Sequence, residues 1–469
     1  MKLICADMLK ALAELPENSV DSVITDPPYH LTEVSRAGSP RNHYEKDSPF
    51  ARTRIGERGF MGKVWDGGTT SFQPETWAAC LRVAKPGAYL FCFGGTRTFH
   101  RIACAIEDGG WILLETFCWL YGQGYPKSMN ISARMDKQAG VDRPVVGTKV
   151  GLPGYSLKHS GKGGVYSGRA DGSLDNSEKE CEITAPVTDE AKLWNGYYTG
   201  IKPAFEPITC AMKPLDKSYL ENARKWGVAG FNIDGCRIPS ELPEGRLRHG
   251  GGAWSEKIQQ LDPDKRNAIP SGRYPANLIL DEEAAALLDA QTGTLKSGTG
   301  CVKKQSGKGL GHNNALGAES RPEGTPIPTY GDIGGASRFF YCAKASRAER
   351  DFGCEDMPVV HNTCRPKSGD VDGRTIQERL HGRLARNSHP TVKPLSLMQY
   401  LCRLSKTPTG GTVLDPFMGS GTTGMAALYE GRDFIGIDND PHSVDIAQHR
   451  IGAVQRELFH SVASQFEDE

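Results

Sequence analysis

Asp26-Pro27-Pro28-Tyr29 is a short run of residues with an immediate chemical use. The two prolines fix φ and cannot donate to a sheet ladder, so the acceptors beside them are held rigidly. Asp26 and the Pro27 carbonyl could accept both N–H groups of an exocyclic base amine, whose own lone pair is delocalised into the ring. Held that way, the nitrogen approaches a tetrahedral geometry and can attack in line, a step helped mainly by positioning. Tyr29 offers a ring on which a base drawn out of a duplex could stack, because the amine is otherwise out of reach. Standing alone, the tetrad also reads as a proline-rich turn with an N-capping acid.

A second concentration of chemistry is Asp415-Pro416-Phe417-Met418-Gly419-Ser420-Gly421-Thr422-Thr423. Its glycines allow a tight turn and close approach of backbone to a ligand at a helix N-terminus, which suits a nucleotide-like cofactor. No Lys follows Gly421, as a Walker-type phosphate loop requires, and the third glycine of the dinucleotide fingerprint is missing. Asp438 falls where the next strand ends and could accept hydrogen bonds from both hydroxyls of a ribose; the alternative reading is a cap before Pro441.

The elements that must position these residues follow from periodicity. Lys2 to Cys5, Asp21 to Thr25, Ala88 to Phe93, Trp111 to Leu120 and Phe205 to Met212 read as strands. Met8 to Leu15, Pro74 to Val83 and Thr98 to Glu107 read as helices, with a turn at Lys85-Pro86-Gly87. Near the C-terminus, helix Leu395 to Leu404, strand Thr412 to Leu414, helix Thr423 to Glu430, strand Asp433 to Ile437 and helix Pro441 to Ile451 complete a βαβ unit. Taken as a circle, that unit runs on into strand Lys2 to Cys5, so Asp415, Asp438 and Asp7 fall at the carboxyl ends of successive strands. That is the edge at which open α/β sheets bind ligands, and Asp26 ends a strand there as well.

With 469 residues the chain exceeds one ordinary core. Residues 1–215 and 386–469 are expected to form the two parts of the core, with an exposed insertion at about 140–190. Residues 216–385, with strand candidates Asn277 to Leu280 and Phe339 to Cys342 between polar Gly-rich connections, are expected to form a separate recognition region.

A 38% hydrophobic and 24% charged composition is that of a globular protein, and no apolar run is long enough to span a bilayer. The start of the chain lacks the features of a signal peptide, so a cytoplasmic location is expected. The 13 cysteines are scattered and odd in number, which fits reduced thiols; Cys354, His361 and Cys364 match no common zinc spacing, and no metal is expected. A net charge of zero leaves phosphate binding to local clusters: Arg246, Arg248 and His249; Lys303, Lys304 and Lys308; Arg374, Arg379, Arg383 and Arg386. Each cluster taken singly also reads as a solvated loop.

In their order these motifs resemble the beta group of the amino-methyltransferases of DNA, in which a D-P-P-Y element precedes the recognition region and an F-x-G-x-G element comes last. The run His389-Pro390-Thr391-Val392-Lys393-Pro394 is similar to that group's H-P-T-x-K-P segment, which implies that Thr391 and Lys393 hold the methionine part of the cofactor. Leu81 to Gly87, Phe91 to Gly95, Trp65-Asp66 and Lys202-Pro203-Ala204-Phe205-Glu206-Pro207 are similar to the family too, and the chain as a whole resembles its solitary phage and prophage members. The resemblance implies an α/β fold, a circularly permuted Rossmann-like S-adenosylmethionine-dependent methyltransferase sheet with an inserted target-recognition region. It implies S-adenosyl-L-methionine as cofactor, bound by Asp7, Thr391, Lys393, Asp415, Phe417, Gly419, Ser420, Gly421, Thr422 and Asp438, with Asp26, Pro27, Pro28 and Tyr29 catalytic. The expected partner is double-stranded DNA; association of two copies is compatible with the sequence, and no residue indicates a restriction partner. Asp at the head of the tetrad is similar to adenine N6 enzymes and leaves cytosine N4 open, as well as RNA or a protein amide, or a non-catalytic DNA-binding role.

Overall fold

Val20–Thr25 is buried along its whole length, as a strand in the middle of a parallel sheet covered on both faces must be. The polar residues in it are each paired. Asp21 accepts from Lys85 Nζ at 2.7 Å and from the Thr412 amide at 2.8 Å, Ser22 Oγ from Arg432 at 3.0 Å, and the Thr25 hydroxyl donates to Asp415 at 2.7 Å. The structure, a computed structural model, describes residues 1–29, 70–122, 128–150, 180–239, 272–296, 333–343, 348–361, 384–387, 389 and 391–467, together with the ladder segments 155–156, 165–166, 300–301 and 326–327.

The central sheet contains β1 (Lys2–Cys5), β2 (Val20–Thr25), β3 (Ala84–Phe93), β4 (Ile112–Leu120), β5 (Phe205–Met212), β6 (Leu278–Asp281), β7 (Tyr341–Ala343), β8 (Thr412–Asp415) and β9 (Asp433–Asp438). Their order in space is β1-β9-β8-β2-β3-β5-β4-β6-β7, with β5 antiparallel to both its neighbours and the other pairs parallel. On one face, α1 (Met8–Ala13), α2 (Pro74–Val83) and α3 (Phe99–Asp108) bury Leu12, Trp77 and Ile106 against Val23 and Leu90. On the other, α4 (Leu395–Leu404), α5 (Thr422–Tyr429) and α6 (Pro441–Glu467) pack Leu401, Met425 and Val454 with Phe91, Phe93 and Phe434. This is the expected α/β, Rossmann-like arrangement.

The circular reading holds in the register. β1 lies parallel to β9, with Lys2 opposite Ile435 and Cys5 opposite Asp438, so β1, β9 and β8 are neighbours although β1 comes first in the chain. One turn moves. Lys85-Pro86-Gly87 is drawn into β3, where the pairing with β2 shifts register between Val20 and Ser22 and Gly87 has φ +81°. A Cβ at Gly87 would come within 2.5 Å of the Asn222 amide nitrogen and 2.7 Å of Ala229 Cβ, so a bulge carrying glycine fits where a larger residue would not.

Between β4 and β5 the chain forms the helix Ile131–Gln138 ahead of the expected insertion, then a two-stranded ladder of Val145–Val150 and Glu180–Thr184 and the helix Asp189–Leu193. Buried Asp136 ties the two helices together by accepting from the Thr188 amide and hydroxyl and the Val187 amide. The strand candidates of the 216–385 span do not stand apart from the core. β6 pairs with β4, β7 pairs with β6, and Ile279 and Ala343 share one buried cluster with Phe91 and Phe117. A three- or four-residue apolar run carries no periodicity that says which sheet it joins, so its destination is set by topology. Two of the basic clusters, with Arg374, Arg379 and Arg383 of the third, lie outside the described residues. Arg386 lies within them, and its guanidinium donates to the Met357 carbonyl at 2.6 Å.

Candidate active site

Four acids line up along the carboxyl edge of β1, β9, β8 and β2. Beside them is a cavity of about 770 Å³ whose wall includes Asp7, Asp26, Thr391, Lys393, Phe417 and Asp438, a size ordinary for small-molecule sites.

Asp26 follows β2 directly and is held from two sides. Its Oδ1 accepts from the Tyr29 hydroxyl at 2.6 Å and its Oδ2 from Lys393 Nζ at 2.6 Å. Lys393 also donates to the Tyr29 hydroxyl at 3.1 Å, and its ammonium lies 3.4 Å from Glu206 Oε2. The ammonium sits 5.4 Å from the centre of the Tyr29 ring and 5.0 Å from that of Phe93, within cation–π range. Burial alone would push the Lys393 ammonium down, but Asp26 and Glu206 outweigh it and hold it above the ordinary lysine range. Burial, then the carboxylates of Asp26 and Glu206, raise the Tyr29 phenol well above its usual value, so it stays a donor. Pro27 is buried, and the Pro28 carbonyl accepts from Ser71 Oγ at 2.7 Å.

The glycine-rich turn after β8 is built on Asp415. Its Oδ1 accepts from Thr25 Oγ1 at 2.7 Å and the Phe417 amide at 3.1 Å, its Oδ2 from Thr423 Oγ1 at 2.6 Å. Burial pushes this carboxyl up to about 7 against the pull of those donors, with Asp26 adding to the rise. Asp415 is therefore the brace between β2, β8 and the start of α5, although it also borders the cavity.

Asp438 accepts from the Gly419 amide at 2.8 Å and the Asp440 amide at 2.9 Å, and burial raises its pKa. The cap-like role belongs to Asp440, which accepts from the amide and hydroxyl of Ser443. Asp7 borders the cavity, but its Oδ1 caps α1 through the Leu9 and Lys10 amides. Gly419 has φ +52°, and a Cβ there would meet His389 Nε2 at 2.8 Å.

Of the residues singled out from the sequence, Asp7, Asp26, Pro28, Thr391, Lys393, Asp415, Phe417, Gly419, Ser420, Thr422 and Asp438 border one cavity. Pro27, Tyr29 and Gly421 do not. Gly421 begins α5 in a left-handed conformation, φ +78°, and a Cβ on it would meet Ala447 of α6, so it serves packing. Lys393 borders the cavity and also bridges Asp26 and Glu206, a contact the motif does not show. The sequence motifs do not single out Glu206, Thr25 or Arg450 as site residues, and they include Thr423 without showing its bond to Asp415. Fully buried Arg450 donates to the Ser420 carbonyl at 2.7 Å and to Thr422 Oγ1 at 2.9 Å, clamping the turn from beneath; burial pulls its guanidinium down to about 10. Nothing near it in sequence marks it.

Residues 20–139 and 198–449 match the sequence profile of the N6/N4 DNA methylases. The chain belongs to this family. Among known members it is similar to the type II methyltransferase M.HinfI of Haemophilus influenzae, 29% identical over 134 residues, 28% of this chain and 37% of that protein. It is also similar to the type II methyltransferase M2.DpnII of Streptococcus pneumoniae, 40% identical over 88 residues, 18% of this chain and 32% of that protein. The chain thus spans about a third of the length of these curated relatives. Among crystal structures, the cytosine-N4-specific PvuII DNA methyltransferase aligns over 96% of this chain and 85% of its own at 12% identity and a TM-score of 0.35. M1.HpyAVI aligns over 96% and 98% at 12% identity and a TM-score of 0.34. Among the described residues of this family member, no helix is long and apolar enough to cross a membrane.

Proposed function

We propose that this N6/N4 DNA methylase transfers a methyl group from S-adenosyl-L-methionine to the N6 amine of an adenine flipped out of double-stranded DNA. The observation that carries the reading is that Asp26 borders the same cavity as the Gly419 turn and Asp438. A base amine at Asp26 and a nucleoside cofactor at the turn would therefore meet in one enclosure.

The residues present suit that cofactor. Asp438 can accept from ribose hydroxyls, Phe417 offers a ring for an adenine, and Gly419 leaves open the space that a side chain would take beside His389. Bound there, the cofactor supplies a methyl carbon on a sulfonium. Asp26 accepts an amine N–H and orients the nitrogen without having to remove a proton first, so the contribution is positioning. The prolines keep that acceptor in place.

Asp at the head of the tetrad favours adenine, and the matched family, which spans N6 and N4 methylases, keeps cytosine as the second reading. The protein incubated with methyl-labelled cofactor and duplex DNA, followed by digestion to nucleosides, should yield labelled N6-methyladenine. Label in N4-methylcytosine would replace the base assignment, and label in neither would remove the function.

A further inference from the structure

We propose that Glu206 is a positioning residue, a second carboxylate that takes over Lys393 and Tyr29 when a base amine engages Asp26. The inference rests on the methyltransferase reading above.

Both oxygens of Asp26 are already occupied, Oδ1 by the Tyr29 hydroxyl and Oδ2 by Lys393 Nζ. An arriving amine that donates to Asp26 must share or displace one of these donors. A donor left without an acceptor in a part-buried site is costly, most of all an ammonium. Glu206 Oε2 lies 3.3 Å from the Tyr29 oxygen and 3.4 Å from Lys393 Nζ, so it receives either group after a small side-chain rotation. Its place in the fold is suited to this. Glu206 lies near the start of β5, the strand that runs against its neighbours and so begins at the carboxyl edge where β2 and β3 end.

The groups around Lys393 come from every element packed on it: Asp26 and Tyr29 from the tetrad, Glu206 from β5, the Phe93 ring from β3, Tyr121 beyond β4, and Asp415 behind Asp26. Two nearby carboxylates for one ammonium leave the cluster a net negative charge, so Asp26 remains an acceptor while Lys393 stays protonated. With Glu206 neutralised, Lys393 has Asp26 as its remaining near carboxylate and stays on it, in competition with the amine. The Glu206 side chain is a quarter exposed, so an isosteric change leaves the fold intact.

The test compares the full-length parent with Glu206→Gln and Glu206→Asp. One readout needs neither DNA nor cofactor: the pH dependence of Lys393 acylation, followed by mass spectrometry. Glu206→Gln should move that titration to lower pH, with Glu206→Asp close to the parent. In single-turnover transfer, Glu206→Gln should lose roughly tenfold to a hundredfold in rate, the scale of a misplaced reacting group, with cofactor affinity within about twofold and Glu206→Asp partly restoring the rate. Parent turnover with an unaltered rate in Glu206→Gln overturns the role of Glu206, whatever the Lys393 titration does. A rate loss without the titration shift overturns it also, since the loss is then structural. A parent that transfers no methyl group to DNA overturns the methyltransferase reading and the role in turnover with it, while a persisting Lys393 shift then shows that the ion pair itself is real.

Discussion

Asp415 and Asp26 are both aspartates at strand ends, yet their surroundings assign them different work. Asp415 is fully buried among two threonine hydroxyls and an amide, with its carboxyl raised to about 7 from an unfolded value near 4. Because the folded state binds this proton more tightly, the group contributes stability that is complete below about pH 4 and is lost as pH rises through about 7. The thermal midpoint of the parent, measured against Asp415→Asn, should therefore fall between pH 5 and pH 8, and a constant difference across that range would show that Asp415 does not titrate there. Asp26 and Asp438 should separate in the opposite manner, by function. Asp26→Ala is expected to lower methyl transfer roughly a hundred- to a thousandfold, the scale of one preorganised group at a reacting centre, with cofactor binding by calorimetry near that of the parent. Asp438→Ala should weaken cofactor binding first, by roughly tenfold to a hundredfold for a lost buried hydrogen bond; equal turnover in Asp26→Ala and the parent would refute the mechanism. The four strand-end acids could be read from the sequence because each follows an apolar run. Their division of labour could not, since two of the partners that decide it, Thr25 for Asp415 and Glu206 for Lys393, come from strands distant in the chain.

At the scale of elements, the glycine-rich turn shows two glycines used for different ends. Gly419 faces the cavity, whereas Gly421 caps the start of α5 where a Cβ would meet Ala447 and Ile451 of α6. Gly421→Ala adds a left-handed backbone cost of about 1–2 kcal/mol and sets a methyl group 2.8 Å from Ala447 Cβ. It is expected to lower the denaturation midpoint by at least that cost, while the remaining folded protein binds cofactor with parental affinity. A variant that keeps its stability but loses cofactor affinity would put Gly421 back at the ligand. The helices and long strands were legible because their periods run over six residues or more, and the observed ends fall within a few positions of the expected ones except at α6, expected to stop at Ile451 and running on to Glu467. The turn expected at Lys85-Pro86-Gly87 shows the limit of local reading: Pro and Gly mark a departure from regular backbone, and here the departure is a bulge inside β3.

Over the whole molecule, the outstanding question is whether residues 216–385 fold as a body of their own. The sequence suggested so, because long polar, Gly-rich connections isolate its strand candidates. In the structure, β6 and β7 finish the central sheet, and Ile279 is fully buried in the cluster that also holds Phe91, Phe93 and Phe117. A further tie is the Asn232 amide, which donates to the Leu404 carbonyl at the end of α4 at 2.8 Å. An autonomous module would melt separately, and damage to it would leave cofactor binding by the core untouched. A shared core predicts otherwise: Ile279→Ala, on the scale of about 2–5 kcal/mol for emptying a large aliphatic site, should shift one calorimetric transition of the full chain to lower temperature. Cofactor should still raise that single transition in the variant, because binding to the folded state stabilises everything that unfolds with it. Two resolved transitions, of which Ile279→Ala lowers one and cofactor raises the other, would show that the span is a separate domain. If the single transition is found, exchange of the span between relatives to alter target choice must retain Leu278–Asp281 and Tyr341–Ala343, since removing them strips two strands from the sheet that carries Asp26.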